Sequence, residues 1–335
     1  MTDTRDNIAS VVERTRPLKV DAPVVDVRIL GDTAAFVLGE EAVVLLPRKG
    51  EERRVAAHGG GILCAAADDD RLITGGDDGK VVATDADGQT TVITTDVKRR
   101  WIDHVAAGPA GAIAWSAGKT ASVRSGKGVE RVLEVPSTVG ALAFAPKGYR
   151  LAIAHYGGAT LWFPGAQAEP ERLDWKGSHL AATVSPDGRF LVTGMQEPTL
   201  HGWRLVDRKD MRMQGYTARV RSLAWTADGK WLATSGSPQL ILWPFQSKDG
   251  PMGKTPQLFE PAQAQIEVVA CHPSQAIVAS GYADGLILIV RTEDGAEILA
   301  RKPGGTPVTA LSWSADGKLL AFGTEDGDAG VLDLA

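Results

Sequence analysis

The side chains best suited to recognition or chemistry are a few cations, aromatics and histidines set between apolar runs. Lys98, Arg99, Arg100 and Trp101 stand together, followed by Asp103 and His104. Further on come His155 and Tyr156, then His179, Met195 and Gln196, then Arg219 and Arg221, and finally Tyr282. Arginine and aromatic residues dominate binding energy at interfaces, because they bury large area with few rotors and make directional contacts. The set suits capture of an acidic peptide or protein loop. His104, His155 and His179, with Asp103, also have the donor types for zinc or nickel. No local spacing enforces their convergence, so hydrogen-bonded structural histidines are the favoured reading.

Signatures of catalysis are missing. The sequence has no nucleophile motif, no P-loop, no His-Glu-x-x-His, no paired Cys ligands and no calcium-type Asp repeat. Asp68-Asp69-Asp70 and Asp85-Ala86-Asp87-Gly88 look like metal loops, but Asp and Gly are favoured at strand turns for backbone reasons. The expectation is a binding protein with no enzymatic activity and no cofactor.

The elements that must position these residues are short strands in a repeated pattern. VTALSWSADGKLLAFGTEDG (308–327) runs through an apolar stretch, an Ala-Asp-Gly turn, a second apolar stretch closed by Gly323 and a loop into a third. VRSLAWTADGKWLATSGSPQLILW (220–243) and HLAATVSPDGRFLVTGMQEPTLHGW (179–203) match it almost position for position, and 266–290 matches with Ser274-Gln275 at the turn. Weaker copies fill 140–162, 103–125, 61–85 and 24–46. The closing glycines are Gly39, Gly76, Gly118, Gly157, Gly194, Gly236, Gly281 and Gly323, spaced by 37 to 45 residues. A period of about forty built of four short strands is that of a propeller blade.

This pattern resembles the WD-repeat β-propeller family over essentially the whole chain from about residue 24. Ser185-Pro186-Asp187-Gly188 before LVTG is the strongest match. Trp162, Trp203 and Trp243 hold the family's Trp position, but Phe163, Arg204 and Pro244 follow them where an Asp is usual. His58 and His179 sit where the family has Gly-His. The resemblance implies an all-β fold: one closed β-propeller of four-stranded blades, with eight blades expected, or seven if 24–46 departs from the pattern. Residues 1–13 are expected to form a partly disordered lead and 14–335 a single propeller. The eighth copy has three strands, so 14–20 is expected to supply its fourth and close the ring.

The resemblance also implies where partners bind: on the loops before first strands and between second and third strands, around the channel mouth. That face would carry Lys98, Arg99, Arg100, Trp101, His155, Tyr156, His179, Arg219, Arg221 and Tyr282. The alternative is a propeller holding a metal or small ligand in its channel, with hydrolase activity. First strands rich in Ala, Val, Leu and Ser argue against it. The longest insertion, 246–261, reads as a mobile surface loop.

Bulk properties agree with an interaction scaffold. Of 335 residues, 44% are hydrophobic and 23% charged, ordinary for a globular protein. A net charge of -5 argues against a nucleic-acid partner, which needs a concentrated basic surface. No run has the length of a signal peptide core or a membrane span, so a cytoplasmic monomer is expected. Cys64 and Cys271 fall on innermost strands, as buried unpaired thiols.

Overall fold

A computed structural model describes residues 8–68 and 70–335. Residues 1–7 of the expected lead and Asp69 of the acidic run lie outside the described residues. The first repeat shows the plan: Val24–Leu30, Thr33–Leu38, Ala42–Pro47 and Arg53–Ala56 pair antiparallel in chain order. First strands of later repeats include Ile62–Ala67, His104–Ala107, Val139–Phe144, Leu223–Trp225, Ile266–Cys271 and Val308–Trp313.

The turns explain why the sequence breaks into strands where it does. Asp187 accepts hydrogen bonds from the Ser185 hydroxyl at 2.6 Å and the Arg189 N–H at 3.0 Å, while Ser185 Oγ accepts from the Phe190 N–H. Thr226 with Asp228 and Ser314 with Asp316 repeat the arrangement. Gly188, Gly229 and Gly317 complete these turns at φ 76°, 65° and 72°, in the left-handed region that favours glycine.

The recurring glycine at the end of second strands has a packing cause. A Cβ on Gly281 would come within 2.6 Å of the Val308 side chain, and one on Gly323 would collide with Val24. Each glycine thus lets the next repeat's first strand lie against it. Between successive repeats the large side chains interlock, forming eight clusters of buried apolar residues among the described residues. One of them joins Ala310, Leu319, Ala321 and Val331 of the last repeat to Val24, Val27 and Phe36 of the first. Thr15–Lys19 lies antiparallel along Asp328–Asp333, with Thr15 opposite Leu332 and Lys19 opposite Asp328. Ala9–Ser10, within the expected lead, pairs parallel with Ile298 and Leu299 on the outer edge of the seventh repeat.

Among the described residues the hydrogen-bonded sheets number seven, where eight blades were expected with seven as the alternative. Residues 24–46 are regular; the difference arises in the fourth and fifth repeats, which share one six-stranded sheet. Glu171–Val184 runs unbroken: Glu171 to Asp174 pair with 158–161, while His179 to Val184 pair with 191–195. Gly177, at φ 128°, carries the extended chain from one pairing to the other.

The insertion 246–261 is pinned rather than loose. Arg189 donates to the carbonyls of Ser247 and Phe245 at 3.1 and 3.2 Å, Arg204 grips Asp249, and Gln257–Leu258 forms the outer strand. The Cys64 and Cys271 thiols contact backbone carbonyls, and burial pushes both up to about 12.

Candidate functional site

On one face, the loops before first strands clasp the loops between second and third strands. Asp78 is the clearest clasp. It accepts from the Gly59 N–H at 2.9 Å and lies 3.0 Å from His58 Nδ1, while His58 Nε2 meets Thr74 Oγ1 at 2.8 Å. In the sixth repeat Tyr216 takes the histidine's place. Its hydroxyl sits 2.9 Å from Thr234 Oγ1 and accepts from Trp243 Nε1 at 2.7 Å. These buried networks fix the loops above them.

The loop leading into the third repeat is held from within. Asp96 Oδ1 accepts the N–H groups of Lys98 at 2.9 Å and Arg100 at 3.1 Å. The Arg100 guanidinium pairs with Asp96 at 2.7 Å and donates to Ala117 O and Thr120 Oγ1. That pairing holds the Asp96 carboxyl below its usual range. Arg100, expected as a contact residue, stays exposed but also staples the loop to itself and to residues 117 and 120. The remaining tip projects outward: Val97 is 99% and Trp101 61% exposed, and the Lys98 and Arg99 side chains have no ion-pair partner among the described residues. Arg99 adopts φ 52°, uncommon for a side-chain-bearing residue.

Three expected contact residues are buried and must be corrected. His155 is 1% exposed, bonded to Tyr156 O at 2.9 Å and Thr160 Oγ1 at 2.8 Å. His179 is fully buried, with its nitrogens on Thr193 Oγ1 and Trp175 O. Tyr282 packs in the cluster between the sixth and seventh repeats. Burial lowers the pKa of both histidines. At the ends of second strands and starts of first strands, alternation turns these side chains into the sheet interface instead of toward solvent.

Tyr156 is exposed and borders a cavity of about 490 Å3 with Trp175, Met195, Gln196, Glu197 and Arg212. Arg219 is half-buried, 3.4 Å from Gln196 Oε1. Trp175 lies flat on His201, ring centroids 3.9 Å apart. His201 is fully buried and its pKa is lowered to about 3, first by burial and then by His179, so its imidazole is neutral.

Apart from Arg221, sequence reasoning missed a set of equivalent residues at the starts of first strands, of which Val25, Glu267 and Thr309 line the channel. Six first strands carry a register shift at their second residue: Val25, Leu63, Gly140, Leu180, Glu267 and Thr309. Arg221 holds the equivalent place in the sixth repeat, after buried Val220. A bulge re-aims its side chain, which explains why Val25, Leu63 and Leu180 are exposed although apolar. The channel, about 980 Å3, is lined by Asp26, Arg28, Arg221, Glu267 and Glu325 among small apolar residues, so it is more charged than expected. Asp26 and Arg28 pair at 2.8 Å, while the Arg221 and Glu267 side chains have no partner among the described residues. The signal was present in part: Val25, Leu63, Gly140, Glu267 and Thr309 each follow a buried Val or Ile at the start of the first strand, while Leu180 follows buried His179.

Among the described residues no group of three or more His, Cys, Asp or Glu could hold a metal ion. His155 and His179 are committed to hydroxyl and carbonyl partners. No helix among those residues is long and apolar enough to cross a membrane.

A ring of four-stranded antiparallel units with loop clasps on one face defines a β-propeller, and comparison with known proteins agrees. Residues 269–335 match the anaphase-promoting complex subunit 4 WD40 domain, and residues 209–243 match the WD domain, G-beta repeat. The chain is 27% identical over 151 residues to Protein groucho of Drosophila melanogaster, covering 45% of this chain and 20% of that protein. It is 24% identical over 162 residues to SEC12-like protein 2 of Arabidopsis thaliana, covering 47% and 41%. A Caenorhabditis elegans periodic tryptophan protein 2 homolog is 24% identical over 120 residues, 35% of this chain and 13% of that one. The matched regions span less than half the length of these relatives. The crystal structure of the computationally designed Ika8 protein superposes with a TM-score of 0.77 at 19% identity, covering 94% of this chain and 97% of that one. Residues 209–243 and 269–335 thus match WD-repeat family models, and the chain is similar over part of its length to these proteins.

Proposed function

We propose that this propeller is a protein-interaction scaffold that recognises an acidic partner segment with an apolar anchor, on the face of the clasped loops. The observation that carries the reading is the rigid 96–101 loop, which presents Trp101 and Val97 beside Lys98 and Arg99 in a chain of net charge -5. Preorganisation lowers the entropy cost of docking. Tyr156, Arg219 and Arg221 extend the surface toward the channel mouth, where exposed Val25 lines the wall, and exposed Leu63 and Leu180 are further apolar anchors. The protein acts by binding, as a monomer, with no chemistry of its own and no nucleic acid.

The test compares wild type with a Lys98→Glu, Arg99→Glu, Trp101→Ala, Arg221→Glu variant. Partners captured by immobilised wild-type protein are identified, purified and measured against both by titration. The variant should lose about a hundredfold or more in affinity with its melting temperature nearly unchanged. Equal affinity would place the docking surface elsewhere.

A further inference from the structure

We infer that the cavity on the opposite face, between the fourth, fifth and sixth repeats, binds a phosphoryl group carried on an apolar molecule. It measures about 750 Å3, and Arg150, Arg189, Arg204 and Lys248 stand on its wall with the carboxylates Asp207 and Asp249. The loops forming it join first to second and third to fourth strands, so it lies away from the docking loops and is independent of that reading.

The charges do not balance within the wall. Arg204 is bound bidentately by Asp207, at 2.9 and 2.6 Å, and also grips Asp249. Arg189 holds Asp187 at 2.5 Å and two carbonyls. Those carboxylates are occupied. Arg150, by contrast, shares Glu171 with Arg208, at 3.4 and 3.6 Å, so two cations face one anion. Arg150 Nε is enclosed without a hydrogen-bond partner, and the guanidinium lies over the Phe163 ring at 4.9 Å. The Lys248 ammonium has no partner among the described residues. A carboxylate offers two oxygens in one plane; a phosphoryl dianion offers three, enough to meet a guanidinium and a separate ammonium together. Beside them Val206 is 86% exposed and Leu205 lines the same wall, which suits an apolar body attached to the anion.

Phenyl phosphate, inorganic phosphate and benzoate, titrated into the full chain by calorimetry at low salt, test the assignment. Phenyl phosphate should bind tightest, and Arg150→Gln and Lys248→Ala should each weaken it about tenfold. Lys248 is exposed on a loop, so its variant reports even if half-buried Arg150 proves necessary for folding. Absence of phenyl phosphate binding, benzoate binding as well, or undiminished binding by Lys248→Ala would each overturn the site. Inorganic phosphate binding as tightly as the ester would overturn the apolar part.

Discussion

Replacing Tyr216 with Phe removes one oxygen from the centre of the sixth repeat. That hydroxyl accepts the Trp243 N–H at 2.7 Å and meets Thr234 Oγ1 at 2.9 Å. Thr234 keeps a second partner, the Ile241 carbonyl at 3.3 Å, whereas the buried Trp243 N–H is left with none. An orphaned buried donor costs about 1–3 kcal/mol, so the variant should lose about that much stability. Trp243→Phe should cost a comparable or larger amount, because ring volume is lost as well. In the double variant donor and acceptor vanish together, and the total should fall short of the sum by about 1–2 kcal/mol. Urea unfolding followed by circular dichroism measures all four corners of the cycle. Strict additivity, within about 0.5 kcal/mol, would show that the network does not act as a unit. Tyr216 stands in the loop that leads to Arg219 and Arg221, so the same change should also weaken partner binding without touching a contact residue.

Asp78 gives a pH prediction. Burial opposes its ionisation, but hydrogen bonds from the Gly59 N–H, His58 and the Lys80 N–H outweigh it and bring the pKa to about 2. Because the folded value lies below the unfolded one, its contribution is complete above about pH 4 and is lost as pH falls toward 2; Asp78→Asn should flatten acid unfolding in that window. Asp96→Ala should speed amide exchange at Lys98 and Arg100 by about tenfold for each 1.4 kcal/mol of lost closure; unchanged exchange would show that the loop is held by something else. Deleting residues 8–19 should lower the melting temperature of the whole ring in one transition, and a truncated protein melting like the full chain would refute closure through that strand.

The fold was legible because its constraint is local and repeated. Gly281 and Gly323 recur where the next repeat's valine must lie against the backbone, and Asp187, Asp228 and Asp316 recur where a turn needs an acceptor. The shared sheet was not legible, since Trp175-Lys176-Gly177 reads as a break, and only pairing on both sides keeps it extended. Arg100 could have been recognised from Asp96 four residues earlier. His155 and Tyr282 could not, because which side of a strand end faces the neighbouring repeat depends on sheet twist and register, not on residue type. The charged cavity of the opposite face was hidden for a related reason: Arg150 and Lys248 are almost a hundred positions apart, and their proximity exists only once the repeats are stacked.

The seam between Thr15–Lys19 and Asp328–Asp333 has a mechanical side. Thr15 lies opposite Leu332, so the two chain directions leave the seam at the same end. Tension applied through both flanks would peel the pair apart one hydrogen bond at a time instead of loading all of them in shear. Once the two-residue pairing of Ala9–Ser10 with the seventh repeat has let go, the propeller should therefore open under small forces at this seam while the remaining sheets stay intact, a weak link placed at one known spot.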